Sequence, residues 1–179
     1  MPFRQDKPAP QDKKDPQSFE PRSGPGAGQK YMEQLVGNWE VLKTLSPPGR
    51  DPVKSKGKCR QTMIHGGRFL QSEFTFEQPD GSKSTGLGVL GYEPTTDTFT
   101  STWTDSRSTK ISLRQSKDKF NGKEIFLFGK TLENGGADAR HSRTWSRLED
   151  GGKTLVHSQY VPGPDGKEFV IMELRMTRR

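Results

Sequence analysis

The chain has 179 residues, with 27 % hydrophobic residues, ten Phe, three Trp, three Tyr and a net charge of +7. That length fits one ordinary domain plus a tail. No apolar run approaches the roughly 20 residues of a membrane-spanning helix, and MPFRQDKPAP lacks the apolar stretch of a secretory signal, so a cytoplasmic protein is expected. Cys59 is the only cysteine, which excludes an internal disulfide.

Residues 1–29 hold Pro, Gly, Gln, Lys and Asp with little to bury, and are expected to form a disordered tail ahead of a single domain over 30–179. Six basic residues against four acidic ones leave +2 in residues 1–30, so the remaining +5 is spread over the domain. Residues 30–36, KYMEQLV, suit one or two helical turns with Tyr31, Met32 and Leu35 on one side.

Beyond Gly37 turn chemistry recurs every ten to fifteen residues or so. It appears at Pro47-Pro48-Gly49, Gly66-Gly67, Pro79-Asp80-Gly81, Pro94 to Asp97, Asp105-Ser106, Asn121-Gly122, Asn134-Gly135-Gly136, Asp150-Gly151-Gly152 and Pro162 to Gly166. Nine turns separate about ten strands. The expected fold is all-β: an antiparallel up-and-down β-barrel, which closes to remove its edges.

Three hairpins fix their own registers. A turn at Gly66-Gly67 sets Arg60 against Glu73 on one face, and Cys59, Gln61 and Met63 against Phe74, Ser72 and Leu70 on the other. A loop from Pro94 to Asp97 sets Tyr92 against Phe99, Leu90 against Ser101 and Gly88 against Trp103, where the glycine leaves room for the indole. Thr98, Thr100, Thr102 and Thr104 then face outward. A turn at Gly151-Gly152 sets Arg143 against Tyr160, Trp145 against Ser158 and Ser146 against His157. In the last strand Val170, Met172, Leu174 and Met176 share one face, with Glu173 and Arg175 on the other.

Leu35-Val36-Gly37-Asn38-Trp39-Glu40 resembles the opening of lipocalin-like (calycin) proteins. Gly66-Gly67-Arg68-Phe69-Leu70, Gly86 with Leu90-Gly91-Tyr92-Glu93-Pro94, Trp103-Thr104-Asp105-Ser106 and Met176-Thr177-Arg178-Arg179 follow in order. Together they resemble a bacterial family of uncharacterised lipocalin-like domains over about residues 33–179. The resemblance implies a calycin barrel of about ten strands, and it carries no activity and no catalytic residues. Nitrobindin-like haem proteins share the Gly-x-Trp start but continue with alternating glycines. Here Glu40-Val41-Leu42-Lys43 follows, so haem is not expected, nor any other cofactor. Fatty-acid-binding proteins end in an Arg-x-Tyr carboxylate grip, where this chain has Arg175-Met176-Thr177.

The chemistry-bearing residues are sparse. His65, His141 and His157 are the only histidines, and the hairpin register puts His141 and His157 on opposite faces, so no metal site is expected. No Gly-x-Ser-x-Gly elbow is present, and Cys59 falls in an apolar setting that leaves a thiol inert. Asp105 is expected to bind backbone amides of its own turn. Gly86-Leu87-Gly88-Val89-Leu90-Gly91 mimics a nucleotide loop but precedes no helix, and reads as a bent strand beside Trp103. Lys54, Lys56, Lys58 and Arg60 alternate on an outer face, with Arg107, Lys110 and Arg114 as candidates to extend it.

These features lead to a non-catalytic barrel that holds a small, largely apolar molecule. The expected cavity residues are Gln61, Met63, Ser72, Phe74, Phe76, Tyr92 and Trp103. If the 139–149 strand turns its Trp145 face inward, Arg143, Trp145 and Tyr160 join them and Arg143 holds an anionic end; the other orientation leaves Arg143 and Arg147 in water. The alternative is a module that binds nucleic acid, another polyanion or a protein through the basic strand. An enzyme using Gln61, His141 and Asp105 ranks third, because no acid and base stand at convincing spacing.

Overall fold

The computed structural model describes residues 24–78, 80–133, 138–163 and 165–179, with the side chains of 130–133 and 138–141 left aside. Of the expected tail over 1–29, residues 1–23 lie outside the described residues, as do the Asn134-Gly135-Gly136 turn, Pro79, Pro164 and the side chain of His141. A short helix, α1 (Ala27–Glu33), precedes ten strands. These are β1 (Gly37–Leu45), β2 (Val53–Ile64), β3 (Phe69–Glu77), β4 (Lys83–Glu93), β5 (Thr98–Asp105), β6 (Ser112–Gln115), β7 (Glu124–Glu133), β8 (Asp138–Glu149), β9 (Thr154–Pro162) and β10 (Glu168–Arg178). Each strand pairs antiparallel with its sequence neighbours, and β1 pairs with β10 to close the barrel.

The hairpin registers expected from sequence are present. Arg60 pairs Glu73 and Gln61 pairs Ser72; Tyr92 pairs Phe99 and Gly88 pairs Trp103; Arg143 pairs Tyr160 and Ser146 pairs His157. The loop from Pro94 to Asp97 has the four residues expected, whereas the Gly66-Gly67 and Gly151-Gly152 connections are longer than two residues. Ile64 still pairs Phe69, so His65 to Arg68 form the connection, with His65, Gly66 and Gly67 all at positive φ. One strand departs from simple alternation. A β-bulge lies between Val170 and Met172, which pair with Tyr160 and Gln159 respectively. The extra residue, Ile171, therefore moves Val170 off the Met172–Leu174–Met176 face.

The helix begins at Ala27, earlier than expected, so residues 27–29 belong to the folded domain and not to the tail. Two contacts explain this. Gln29 is buried, and its amide donates to the Tyr92 carbonyl at 2.9 Å while its Oε1 accepts from the Gly26 amide at 2.7 Å. Gly28 lies flat against the Tyr92 ring, where an added Cβ would stand 2.3 Å from ring carbons. The helix thereby stoppers one end of the barrel, with Tyr31, Met32 and Leu35 buried in the core.

The Gly37-x-Trp39 start has a direct physical basis. Trp39 is 1 % exposed and donates its indole N–H to the Leu35 carbonyl at 3.0 Å. Arg178 stands over the indole at 4.3 Å and donates to the carbonyls of Val36 and Gln34, each at 2.6 Å, and of Gly152 at 3.2 Å. Gly37 has a φ of 145°, and a Cβ there would stand 2.7 Å from the Arg178 guanidinium. The first and last strands are thus locked together at the helix-capped end.

Candidate functional site

Alternation along the strands turns one face of each inward, and these faces line a cavity of about 220 Å³ that opens to solvent. Its walls are mostly apolar: Leu70, Phe74, Phe76, Leu90, Trp103, Ile125, Leu127, Leu155, Met172, Leu174 and Met176. Gln61, Ser72, Ser101, Thr144, Ser146, His157 and Gln159 add polar groups, and Lys43, Arg107 and Arg114 add positive charge. No Asp or Glu is among the described lining residues. A mostly apolar hollow with a few polar groups has the composition of a small-molecule site, though it is smaller than the usual ~300–1,000 Å³.

Of the residues expected to line the cavity, Gln61, Ser72, Phe74, Phe76 and Trp103 do so. Gln61 donates to the Ser72 hydroxyl at 3.0 Å. Phe74 stacks on Phe76 at 5.6 Å and meets the Trp103 edge at 5.5 Å. Met63 packs against the core without lining the cavity. Tyr92 lies under the helix, packed on Phe99 and Phe120, with its hydroxyl donating to Asp97 at 2.6 Å.

Arg143, Trp145 and Tyr160 are corrections. On β8 the buried Ser142 and Thr144 face inward, so Arg143 and Trp145 face outward. Arg143 stacks on the Tyr160 ring at 4.0 Å and pairs with Glu168 at 2.8 Å. Trp145 stacks on Phe126 at 5.7 Å and donates to Glu124 at 2.6 Å, with Arg147 over its other side at 3.9 Å. The large flat side chains tile the outer wall, while small polar ones leave room inside. We expect Arg143→Ala to leave uptake of any cavity ligand unchanged and to lower stability by less than about 1 kcal/mol, as for an exposed ion pair. Ligand titration and urea unfolding of the variant check both.

Arg107 and Arg114 also depart from expectation: both border the cavity, Arg114 half-buried and Arg107 with its side chain 58 % exposed. Asp105 does accept the Arg107 amide at 2.9 Å, as its turn predicted. It also accepts from the Arg107 guanidinium at 2.9 Å and from the Trp103 indole N–H at 3.0 Å. The Arg107 contacts first, and the Trp103 bond with them, hold the Asp105 carboxyl down at about 2. Trp103 is thereby fixed in orientation. The ring overlies Gly86, where a Cβ would stand 2.3 Å from the indole, more closely than it overlies Gly88 at 3.4 Å. Lys43 sits 4.6 Å from the Phe76 ring, and burial first, then Arg107, lowers its pKa.

The expected Ser146–His157 cross-strand pair lies on the inner face of the barrel. The imidazole Nδ1 and the Ser146 hydroxyl are 2.7 Å apart, facing the cavity. Burial, and secondarily the Arg114 charge, depress His157 to about 4. So weak a base has little power to activate a serine at neutral pH, and the pair is a polar patch of the wall. Because the unfolded histidine titrates near 6.5, the unfolded chain binds a proton that the folded one refuses between about pH 4 and 6.5. Stability is therefore full above that window and falls by on the order of 3 kcal/mol as pH drops through it. Urea unfolding between pH 7.5 and 4.5 should show this loss, and His157→Gln should flatten it.

Cys59 is buried between strands and burial pushes its thiol pKa up, so it is an inert core residue. Among the described residues no three His, Cys, Asp or Glu side chains cluster as a metal site. Among the described residues no helix is long and apolar enough to cross a membrane.

Comparison with known proteins fits this architecture. The model of a family described as "Protein of unknown function (DUF1579)" matches residues 24–178. None of the curated proteins matches the sequence significantly. Among solved structures, Rv2717c from M. tuberculosis superposes with a TM-score of 0.63 at 13 % identity, over 86 % of this chain and 98 % of that one. The S-type phycobiliprotein lyase CPES from Guillardia theta superposes with a TM-score of 0.54 at 10 % identity, over 85 % of this chain and 92 % of that one. At such identities the likeness is one of fold.

Proposed function

The chain belongs to the DUF1579 family of unknown function, and from that premise we propose that its barrel binds a small, largely apolar molecule in the interior without transforming it. The observation that carries this reading is the cavity itself. It is a hollow of about 220 Å³ inside the barrel, walled by Phe74, Phe76, Trp103 and aliphatic side chains. A core built only for stability closes such space, because unfilled volume costs roughly 24 cal/mol per Å³. The shared fold with a phycobiliprotein lyase is compatible with a ligand-handling barrel. The interior chemistry favours holding over reacting, since its one hydroxyl–imidazole pair has a weak base.

The outer surface supports the rival reading less well. Lys54, Lys56 and Lys58 are exposed on β2, and Arg60 is neutralised by Glu73 at 2.6 Å. The outward aromatics Trp145, Phe126 and Tyr160 sit on β7–β9, across the barrel from β2, and carry arginines over their rings. Stacking platforms for nucleic-acid bases need free ring faces beside the basic track. Native mass spectrometry of freshly purified protein, compared with the denatured mass, tests the proposal. A releasable mass of a small organic molecule supports it. A bare mass together with no uptake of a neutral apolar dye contradicts it.

A further inference from the structure

We propose that the ligand of this cavity carries a carboxylate, and that Arg114 receives it. The inference rests on the reading of the barrel as a small-molecule binder and names the chemical class it would take.

Arg114 emerges from β6, a strand of only four residues, between Ser101 of β5 and Gly129 of β7. Gly129 is what lets the side chain run along the inner wall. A Cβ at that position would stand 2.8 Å from Arg114 Cγ and 2.9 Å from the Leu113 carbonyl. The guanidinium Nε is buried and has no hydrogen-bond partner among the described residues. Arg147 also has one buried N–H without a partner, but its Nη2 pairs with Glu149 at 2.8 Å, whereas Arg114 has no ion pair among the described residues. Arg60 and Arg143 bind Glu73 and Glu168, and Arg178 binds three carbonyls. Arg114 is half-buried, and a guanidinium whose inner N–H is shut away from water without an acceptor is costly, so a ligand that supplies one is favoured.

The surroundings favour an anion as that partner. The described lining residues include no carboxylate, and Lys43 adds a second positive charge to the interior. A guanidinium presents its N–H groups as a planar fork matched to two carboxylate oxygens. A carboxylate matches that fork with two oxygens and carries less charge than a phosphate into a small, mostly apolar hollow, which favours it as the anion. The Ser146–His157 pair lies close enough for the Arg114 charge to be felt at the imidazole, so the cation is part of the same chamber.

A head-group series on one eight-carbon tail tests this with the full chain: octanoate, octan-1-ol, octylammonium and octyl phosphate, by calorimetric titration at about pH 7.5. Octanoate should bind about tenfold or more tighter than octanol, the effect of one hydrogen bond to a charged group. Octylammonium should bind more weakly than octanol. Arg114→Met should reduce octanoate to the level of octanol while leaving octanol within about twofold, and Arg114→Gln should do the same. Equal binding of octanoate and octanol by the natural protein would overturn the Arg114 assignment while leaving the apolar-binder reading intact. So would a preference that survives both substitutions. Tighter binding of octyl phosphate would overturn the carboxylate class. Failure of all four to bind would overturn both readings together.

Discussion

Trp39→Ala should lower the unfolding free energy by about 3–5 kcal/mol, enough to leave a domain of ordinary stability barely folded. The indole is almost fully buried, and its loss does more than open a void. It removes the ring on which Arg178 stacks and the donor that the Leu35 carbonyl accepts from. Arg178 in turn ties the segment before β1 to the turn before β9 through Gln34, Val36 and Gly152. The damage should therefore spread to the β1–β10 closure. Urea unfolding measures the midpoint loss, and hydrogen exchange should show the amides of α1, β1 and β10 losing protection first. A Trp39→Ala protein as stable as the natural one would remove this closure from the account of the fold.

Gly86→Ala should cost about 1–3 kcal/mol and reshape the cavity wall. Its Cβ would stand 2.3 Å from the Trp103 ring, and the ring cannot simply swing aside. The indole N–H is held by Asp105, which is itself fixed by Arg107 and held ionised far below neutral pH. Either the indole moves into the cavity and cuts the Asp105 bond, or β4 shifts outward. Both outcomes should change Trp103 fluorescence and weaken uptake of an apolar ligand. Unchanged emission together with unchanged uptake would show that Trp103 is not the wall described above.

The sequence was most readable where one face of a strand is apolar and the turn is short. Cys59, Met63, Leu70 and Phe74 sort themselves from Arg60 and Glu73 in a single register, and the structure has that register. The same logic misleads where the inner face is small and polar. On β8 the inward set is Ser142, Thr144 and Ser146, while Trp145 faces out, so hydrophobicity points the strand the wrong way. On β7 both faces are apolar: Ile125 and Leu127 point in, Phe126 and Phe128 out. Alternation alone therefore cannot choose between them. β6 inverts the pattern outright. Ile111 and Leu113 are 71 % and 61 % exposed, and Arg114 turns inward. The signal that could have exposed it is Gly129, a strand glycine whose missing side chain makes room for the arginine. The bulge at Ile171 leaves no mark in the Val170–Met176 alternation, because its consequence is a pairing shift across to β9.

On the proposed reading the interior, and not the outer wall, takes up a small apolar molecule. Methionine-methyl NMR measures this directly, because Met172 and Met176 line the cavity while Met63 does not. On titration with a neutral apolar compound such as octan-1-ol, the Met172 and Met176 methyl resonances should shift in a saturable way, with Met63 unmoved. Methyl signals at Met172 and Met176 that stay fixed throughout the titration would contradict the account.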